Sequence, residues 1–386
     1  MAQRPHAIRA HGVHRSSQQG LYHGRVPRRP PTVFLHVGPP KTGTTYLQEV
    51  MWRNQARLVE LGVTFPYRPI DHFHAAVELR GIEFGGHADP QTKGAWRRLA
   101  RQALKVGTDK VVISHEVLAG ATDQQIEAAV KSLDPAEVHV VYGARDLARQ
   151  IPAVWQESLK NRRRRPYGRF VTSVLRSRSR TQSGAAFWRA QDAVAVLGRW
   201  ARHLPLERIH VLTLPPRDAP IELLWHRYCA VLGIDPRGFD LHVTRTNTSL
   251  TQAEAEVLRR LNLVLPADLE WPEYERLVKS RFNRIADQRG RGDQILVPPR
   301  HRRRLTRHSQ AIQGSLAEAG YDVVGDLSDL TPGQESFGPF RGGRQVHVAD
   351  AAIELLAAAL TQPAQLSRDR RLQARRWLSH LGRRGT

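Results

Sequence analysis

With 386 residues, 40% hydrophobic and 25% charged, the chain can bury the core of one large soluble domain or two smaller ones. No run approaches the roughly 20 apolar residues of a membrane span, and the basic N-terminus lacks the apolar stretch of a secretory signal. Cys229 is the single cysteine, which excludes an internal disulfide framework and a multi-cysteine zinc site and leads us to expect a reducing, cytoplasmic setting. The net charge of +23 suggests a nucleic-acid binder until it is located: residues 1–31 hold six arginines, 161–180 eight, 300–307 five and 367–386 seven, with a single acid (Asp369) among them all. The rest of the chain is close to neutral. Such runs read as solvated arms and loops that attract polyanions, not as a specific nucleic-acid interface.

Residues 1–31 read as a disordered basic arm. Thr32–Val37 is a short apolar run suited to a buried strand. A helix follows, with Leu47, Val50, Met51, Asn54, Leu58 and Leu61 on one face and Gly62 placed to end it. Further strands are expected at Val111–Ser114, Glu137–Gly143 and Arg208–Leu214. Helices are expected at Asp123–Leu133 (capped by Thr122), Asp146 to about Asn161, Phe187–Arg202 and Ile221–Leu232, with Cys229 as a small core residue of the last. Residues 249–262 and 300–319 add helices, and 320–332 a closing strand and turn. This alternation predicts an α/β fold: three αβα layers around a mainly parallel sheet, P-loop-like, with extra C-terminal helices. The expected organisation is an arm over 1–31, an α/β domain over 32–332, and a linker with a basic helical tail over 333–386. That tail could touch a membrane surface peripherally, although a frayed surface helix is the plainer reading.

Between the first strand and helix lies Gly38-Pro39-Pro40-Lys41-Thr42-Gly43-Thr44-Thr45. Glycines let backbone amides approach phosphate oxygens, and a helix N-terminus adds donors and a favourable dipole. Compared with G-x-x-x-x-G-K-[ST], Gly38 and Gly43 keep their spacing and Thr45 fills the hydroxyl slot, but Thr44 stands where the lysine belongs. The lysine has moved to Lys41, inside the loop, which suits a ligand shorter than a triphosphate. Apart from Glu116, no strand ends in an acid suited to Mg²⁺.

Pro40-Lys41-Thr42-Gly43-Thr44-Thr45-Tyr46-Leu47 resembles the phosphosulfate-binding loop of the PAPS-dependent sulfotransferase family, and Phe34–Pro40 is similar to bacterial members. The resemblance spans about residues 32–332. It implies that the stretch from Gly38 through Pro40, Lys41, Thr42, Gly43, Thr44 and Thr45 to Tyr46 holds the 5′-phosphosulfate of PAPS (3′-phosphoadenosine 5′-phosphosulfate). Lys41 would neutralise the leaving phosphate. No metal is implied. The competing readings are a P-loop nucleotide kinase, which wants a lysine at Thr44, and a non-catalytic polyanion binder.

The family's 3′-phosphate motif is similar to Val138–Asp146, an arginine at a strand end followed eight residues later by a serine. Arg145 matches, and its fork suits a phosphate. Ala153 stands in the serine's place, leaving Gln156, Ser158 or another residue to substitute for it. A base is also needed to take the acceptor's proton. Ser114-His115-Glu116, just past a strand, supplies the candidates. Alternation along an extended chain turns Glu116 with Ser114 and His115 away, so Glu116 ranks first and His115 second.

His72 and His74 fall on an expected loop as pocket lining or surface residues rather than metal ligands. Trp155, Phe187, Trp188 and Trp200 read as core, and His36 as a satisfied core histidine. The loop 161–180 could meet a small-molecule or glycan acceptor of acidic character, or be mobile and solvated. Arg245–Leu250 is a further nucleotide contact suggested by the resemblance. Acceptor identity and oligomeric state stay open.

Overall fold

Six strands form one sheet in the computed structural model, which describes residues 29–83, 89–176, 181–243, 249–289, 293–342 and 345–361. In chain order the elements begin β1 Thr32–Gly38, α1 Thr44–Arg53, α2 Gln55–Glu60, β2 Val63–Thr64, α3 Pro69–Arg80, α4 Ala95–Ala103, β3 Lys110–Ser114, α5 Asp123–Ser132 and β4 Glu137–Ala144. They continue with α6 Leu147–Lys160, α7 Tyr167–Arg176, α8 Gln182–Gln191, α9 Ala193–Trp200, β5 Ile209–Thr213, α10 Glu222–Leu232 and α11 Gln252–Val264. α12 Trp271–Tyr274, α13 Ser280–Arg289, α14 Arg302–Glu318, β6 Asp322–Val324 and α15 Gln345–Thr361 complete the order.

The strands lie in the order β2-β3-β1-β4-β5-β6, every pair parallel. Parallel strands buried on both faces need apolar residues at successive positions, and Val33, Phe34 and Leu35 of β1 are all buried. Val33, Leu35 and Val37 pack with α4, α6 and α9, whereas Phe34 faces α1 and α10 across a second core. Helices therefore cover both faces, giving the three-layer α/β architecture that the alternating pattern predicts. After β1 the chain builds β2 and β3 on one side, then crosses to β4 on the other. Such a switch opens a crevice at the C-terminal strand ends, and the Gly38–Thr45 loop lies there. Among the described residues no helix is long and apolar enough to cross a membrane.

Several elements differ from the sequence reading. The helix after the loop is broken at Asn54, whose side-chain amide donates to Val50 O and to Asp240 O, each at 2.8 Å. Phe187–Arg202 likewise divides at Asp192, whose carboxylate caps α9 by accepting from the Ala195 N–H. Residues 167–176, expected in a loop, form α7, because Tyr167, Phe170, Val171 and Val174 make a buried face between the arginines. His72 and His74 lie on α3, not on a loop. His72 is core: its Nε2 pairs with Pro66 O at 2.6 Å, its Nδ1 accepts the Ser114 N–H, and its ring stacks on Phe65. Trp155, Phe187, Trp188, Trp200 and Cys229 are buried, as expected. Residues 334–340 lie against the body, where Phe337 bridges Val297 and Phe340 packs on Trp155 and Tyr167. α15 then lays Val348, Ala351 and Leu355 against the core, alongside α11.

Candidate functional site

The loop owes its shape to three residues with positive φ: Gly38 at 97°, Lys41 at 72° and Gly43 at 79°. A Cβ on Gly38 would come within 2.6 Å of Glu116 Cα, and one on Gly43 within 2.6 Å of Leu224 Cδ2. At Gly38 both the backbone angle and the space require glycine, because backbone stands in the way; at Gly43 the angle decides, since the Leu224 methyl can shift. Three successive carbonyls of the turn accept from side chains. Thr42 Oγ1 donates to Pro39 O at 2.6 Å, Gln150 and Gln191 side-chain amides donate to Pro40 O, and Arg145 donates to Lys41 O at 2.7 Å. With the carbonyls tied inward, the turn is anchored at three successive residues. At the start of α1 the first N–H groups have no intrahelical acceptor, and no acid sits in that turn. Thr44 Oγ1 is buried with no hydrogen-bond partner in the protein. These are the attributes of a phosphate cradle.

Lys41 is inside the cradle, and its Nζ meets Glu157 Oε2 of α6 at 2.7 Å. Glu157 also faces Lys279, whose Nζ lies 3.9 Å from its other oxygen and 3.1 Å from Asn161 Oδ1. Burial alone would raise the Glu157 pKa, but the two ammonium groups outweigh it and hold the carboxyl at about 2. Glu157 is one turn beyond Ala153 and therefore on the same side of α6. The sequence reading missed it, since nothing local marks a glutamate whose partner is 116 residues away. Gln150, Gln191 and Lys279 were missed for the same reason.

Arg145 ends β4 beside the loop. Burial, with Arg149 adding, lowers its pKa to about 10, which keeps it cationic at neutral pH. Its Nε is buried without a partner in the protein. Pro39, Tyr142, Ala144 and Gln191 line a small cavity with Arg145, and Ser309 and Ile312 of α14 close its far side. Of the substitutes considered for the serine, Gln156 accepts the Leu250 N–H at 2.7 Å and Ser158 donates to Trp155 O in its own helix at 2.6 Å. Neither is bonded to Arg145. Tyr46 turns into the core against α10, and burial, then Glu222 and Cys229, push its phenol up to about 12. Thr45 is half-buried in the first turn of α1.

Beyond β3, extension ends at His115, and Glu116 begins a 3₁₀ turn, so strict alternation stops there. Glu116 is brought against Gly38 at the mouth of the loop. His115 packs on Phe73, and its Nε2 is 4.0 Å from Glu116 Oε2. Burial lowers the His115 pKa, only partly offset by Glu116. Its Nδ1 accepts the Val117 N–H at 3.3 Å, which places the neutral ring's proton on Nε2. His36 is buried, bonded to Ser114 Oγ at 2.8 Å and held at about 3 by burial and then His115, so it stays neutral. Of Arg245–Leu250 only Ser249 and Leu250 are described; the others, like the arm 1–28 and the tail beyond 361, lie outside the described residues.

No family model matches the chain, and no curated protein matches it. Among solved structures, a sulfotransferase from Alicyclobacillus acidocaldarius is similar, at 14% identity and a TM-score of 0.37, over 56% of this chain and 87% of that one. A match that loose carries no residue role or chemistry across to this chain. The cradle, Arg145 and Glu116 therefore stand on their own geometry.

Proposed function

We propose that the chain is a PAPS-dependent sulfotransferase, transferring a sulfuryl group to a hydroxyl or amine. One arrangement carries this reading: Arg145 at the end of β4 donates to the carbonyl of Lys41, the lysine inside the phosphate loop. The guanidinium is thereby fixed against the backbone of the loop that carries Lys41, and a nucleotide with phosphates at both the 5′ and 3′ positions of one ribose offers a partner to each residue. A triphosphate would want its lysine at Thr44 instead.

The loop N–H groups, the Thr42 to Thr45 segment and Lys41 hold the 5′-phosphosulfate, and the Arg145 fork takes the 3′-phosphate. As the acceptor oxygen or nitrogen bonds to sulfur, the bond between sulfur and the bridging phosphate oxygen breaks. Lys41 offsets the charge left on that oxygen. Glu116, at the mouth of the loop, accepts the acceptor's proton. His115 is the weaker candidate, because its neutral ring presents an N–H rather than a lone pair.

The test is a titration with adenosine 3′,5′-bisphosphate and with ATP, on the native chain and on Lys41→Ala and Arg145→Ala. Micromolar bisphosphate binding, weakened at least tenfold in each variant, is expected. A preference for ATP, or indifference to both substitutions, would overturn the reading.

A further inference from the structure

Two of the four arginine runs, near 165 and near 300, are far apart in sequence but share one wall of the folded protein. Arg165, Arg169 and Arg300 line an open groove together with Pro166, Thr172 and Ser173. Arg176 and Arg304 stand close by: with Arg300 they add to the burial that lowers the pKa of His301. None of the groove's lining residues is acidic. The ion pairs found among the described residues include neither Arg169 nor Arg300. Arg165 is fixed in the wall, since its carbonyl accepts from Trp155 Nε1 at 2.9 Å and its guanidinium donates to Ser173 Oγ at 3.2 Å.

A solvated surface ordinarily intersperses charges of both signs. Five guanidinium groups on one face repel one another, and the core beneath, built on Tyr167 and Phe170, does not need them. Guanidinium forks match sulfate and carboxylate oxygens in pairs. The groove has no aromatic ring on which bases could stack, as a single-stranded nucleic acid would want. It has no exposed side chain more apolar than proline, as a bilayer surface would want. One helix joins the neighbourhoods of the groove and the Arg145 cavity. Arg300 precedes α14, and Ser309 of that helix lines the Arg145 cavity. Arg302 and Ser309 are about 10 Å apart along the axis at ~1.5 Å per residue.

We propose that this groove binds an acidic oligosaccharide and anchors it as the acceptor. The word acceptor rests on the sulfotransferase reading; the binding itself does not.

The experiment measures binding of a heparin hexasaccharide by calorimetry to the full chain at near-physiological salt. It compares Arg165→Ala/Arg169→Ala/Arg300→Ala with Arg302→Ala/Arg303→Ala/Arg307→Ala, which removes equal charge outside the groove lining. Thermal unfolding confirms that both fold. At least a tenfold loss in the first triple and under threefold in the second is expected, with adenosine 3′,5′-bisphosphate binding unchanged in both. Equal losses, no loss, or tighter binding of a thymidine 20-mer or of phosphatidylglycerol vesicles by the native chain would overturn the proposal. If the hexasaccharide result holds but the native chain fails to bind the bisphosphate, the sulfotransferase reading falls and the oligosaccharide site stands.

Discussion

Glu157 Oε2 lies 2.7 Å from Lys41 Nζ, so the lysine of the phosphate loop is met by a carboxylate from the helix after β4. An anionic ligand arriving at Lys41 must share it with that carboxylate or displace it, and Lys279 is in place to keep Glu157 company. Glu157→Gln removes the competing negative charge while keeping the shape. Adenosine 3′,5′-bisphosphate should then bind roughly three- to tenfold more tightly, about 1 kcal/mol, with a larger gain at low salt. Calorimetry at two salt concentrations checks this, and weaker binding in the variant would show that Glu157 helps to hold the ligand.

At Arg145 the prediction concerns fork geometry. Arg145→Lys keeps a cation but loses the paired donors, one of which anchors Lys41 O. Bisphosphate affinity should fall by at least tenfold, whereas adenosine 5′-phosphate should lose much less. Equal losses for the two nucleotides would separate Arg145 from the 3′-phosphate.

Gly38→Ala tests the cradle. The new Cβ meets the Glu116 backbone at 2.6 Å, at a φ of 97° that side chains disfavour. A loss of about 2–4 kcal/mol is expected from denaturant unfolding, with nucleotide binding impaired. A change within about 0.5 kcal/mol, in the range of ordinary surface substitutions, would mean that the loop and Glu116 are not in contact.

For the proton acceptor, Glu116→Gln should lower turnover by about 100-fold or more and leave bisphosphate binding within twofold. His115→Ala should have the smaller effect. Full turnover in Glu116→Gln would move the role to another group.

The buried histidines set the acid response. Burial holds His36 at about 3 and His72 at about 4 and lowers His115, whereas the unfolded chain titrates near 6.5. Between those values the unfolded state binds more protons, so stability falls as pH drops from 6.5 towards 4. Each histidine contributes roughly 1.4 kcal/mol per pH unit across its window. Urea unfolding at about pH 7 and about pH 5 should differ by more than about 2 kcal/mol, and His72→Gln should reduce the difference. Equal stabilities would mean that these rings take up protons in the folded state.

Much of this was legible because its signals are local. Thr32–Val37, Gly38, Gly43 and the apolar face through Met51 fall within one stretch, so strand, turn and helix could be read together. α3 was missed because His72, His74, Ala75, Ala76 and Val77 are buried around most of the helix and leave no clean stripe. α7 was hidden by its arginines, which stand between buried apolar positions. Glu157 and the joining of Arg165 with Arg300 depend on how strands and helices stack, and no sequence spacing carries that. The alternation argument for Glu116 failed at His115, where the strand gives way to a 3₁₀ turn, although Glu116 still reaches the loop through its contact with Gly38.

The Pro40 and Lys41 carbonyls are held by side chains from elsewhere in the fold, Gln150 with Gln191 and Arg145, while the Pro39 carbonyl is held within the loop by Thr42. Those bonds form when the chain folds, so the loop's conformational entropy is surrendered then and not when a ligand arrives. Association should accordingly be a single exponential whose rate rises linearly with ligand concentration, without a plateau set by loop closure. The backbone of the cradle is set by these bonds before a ligand arrives, so selectivity among anions follows from how well their oxygens fit it.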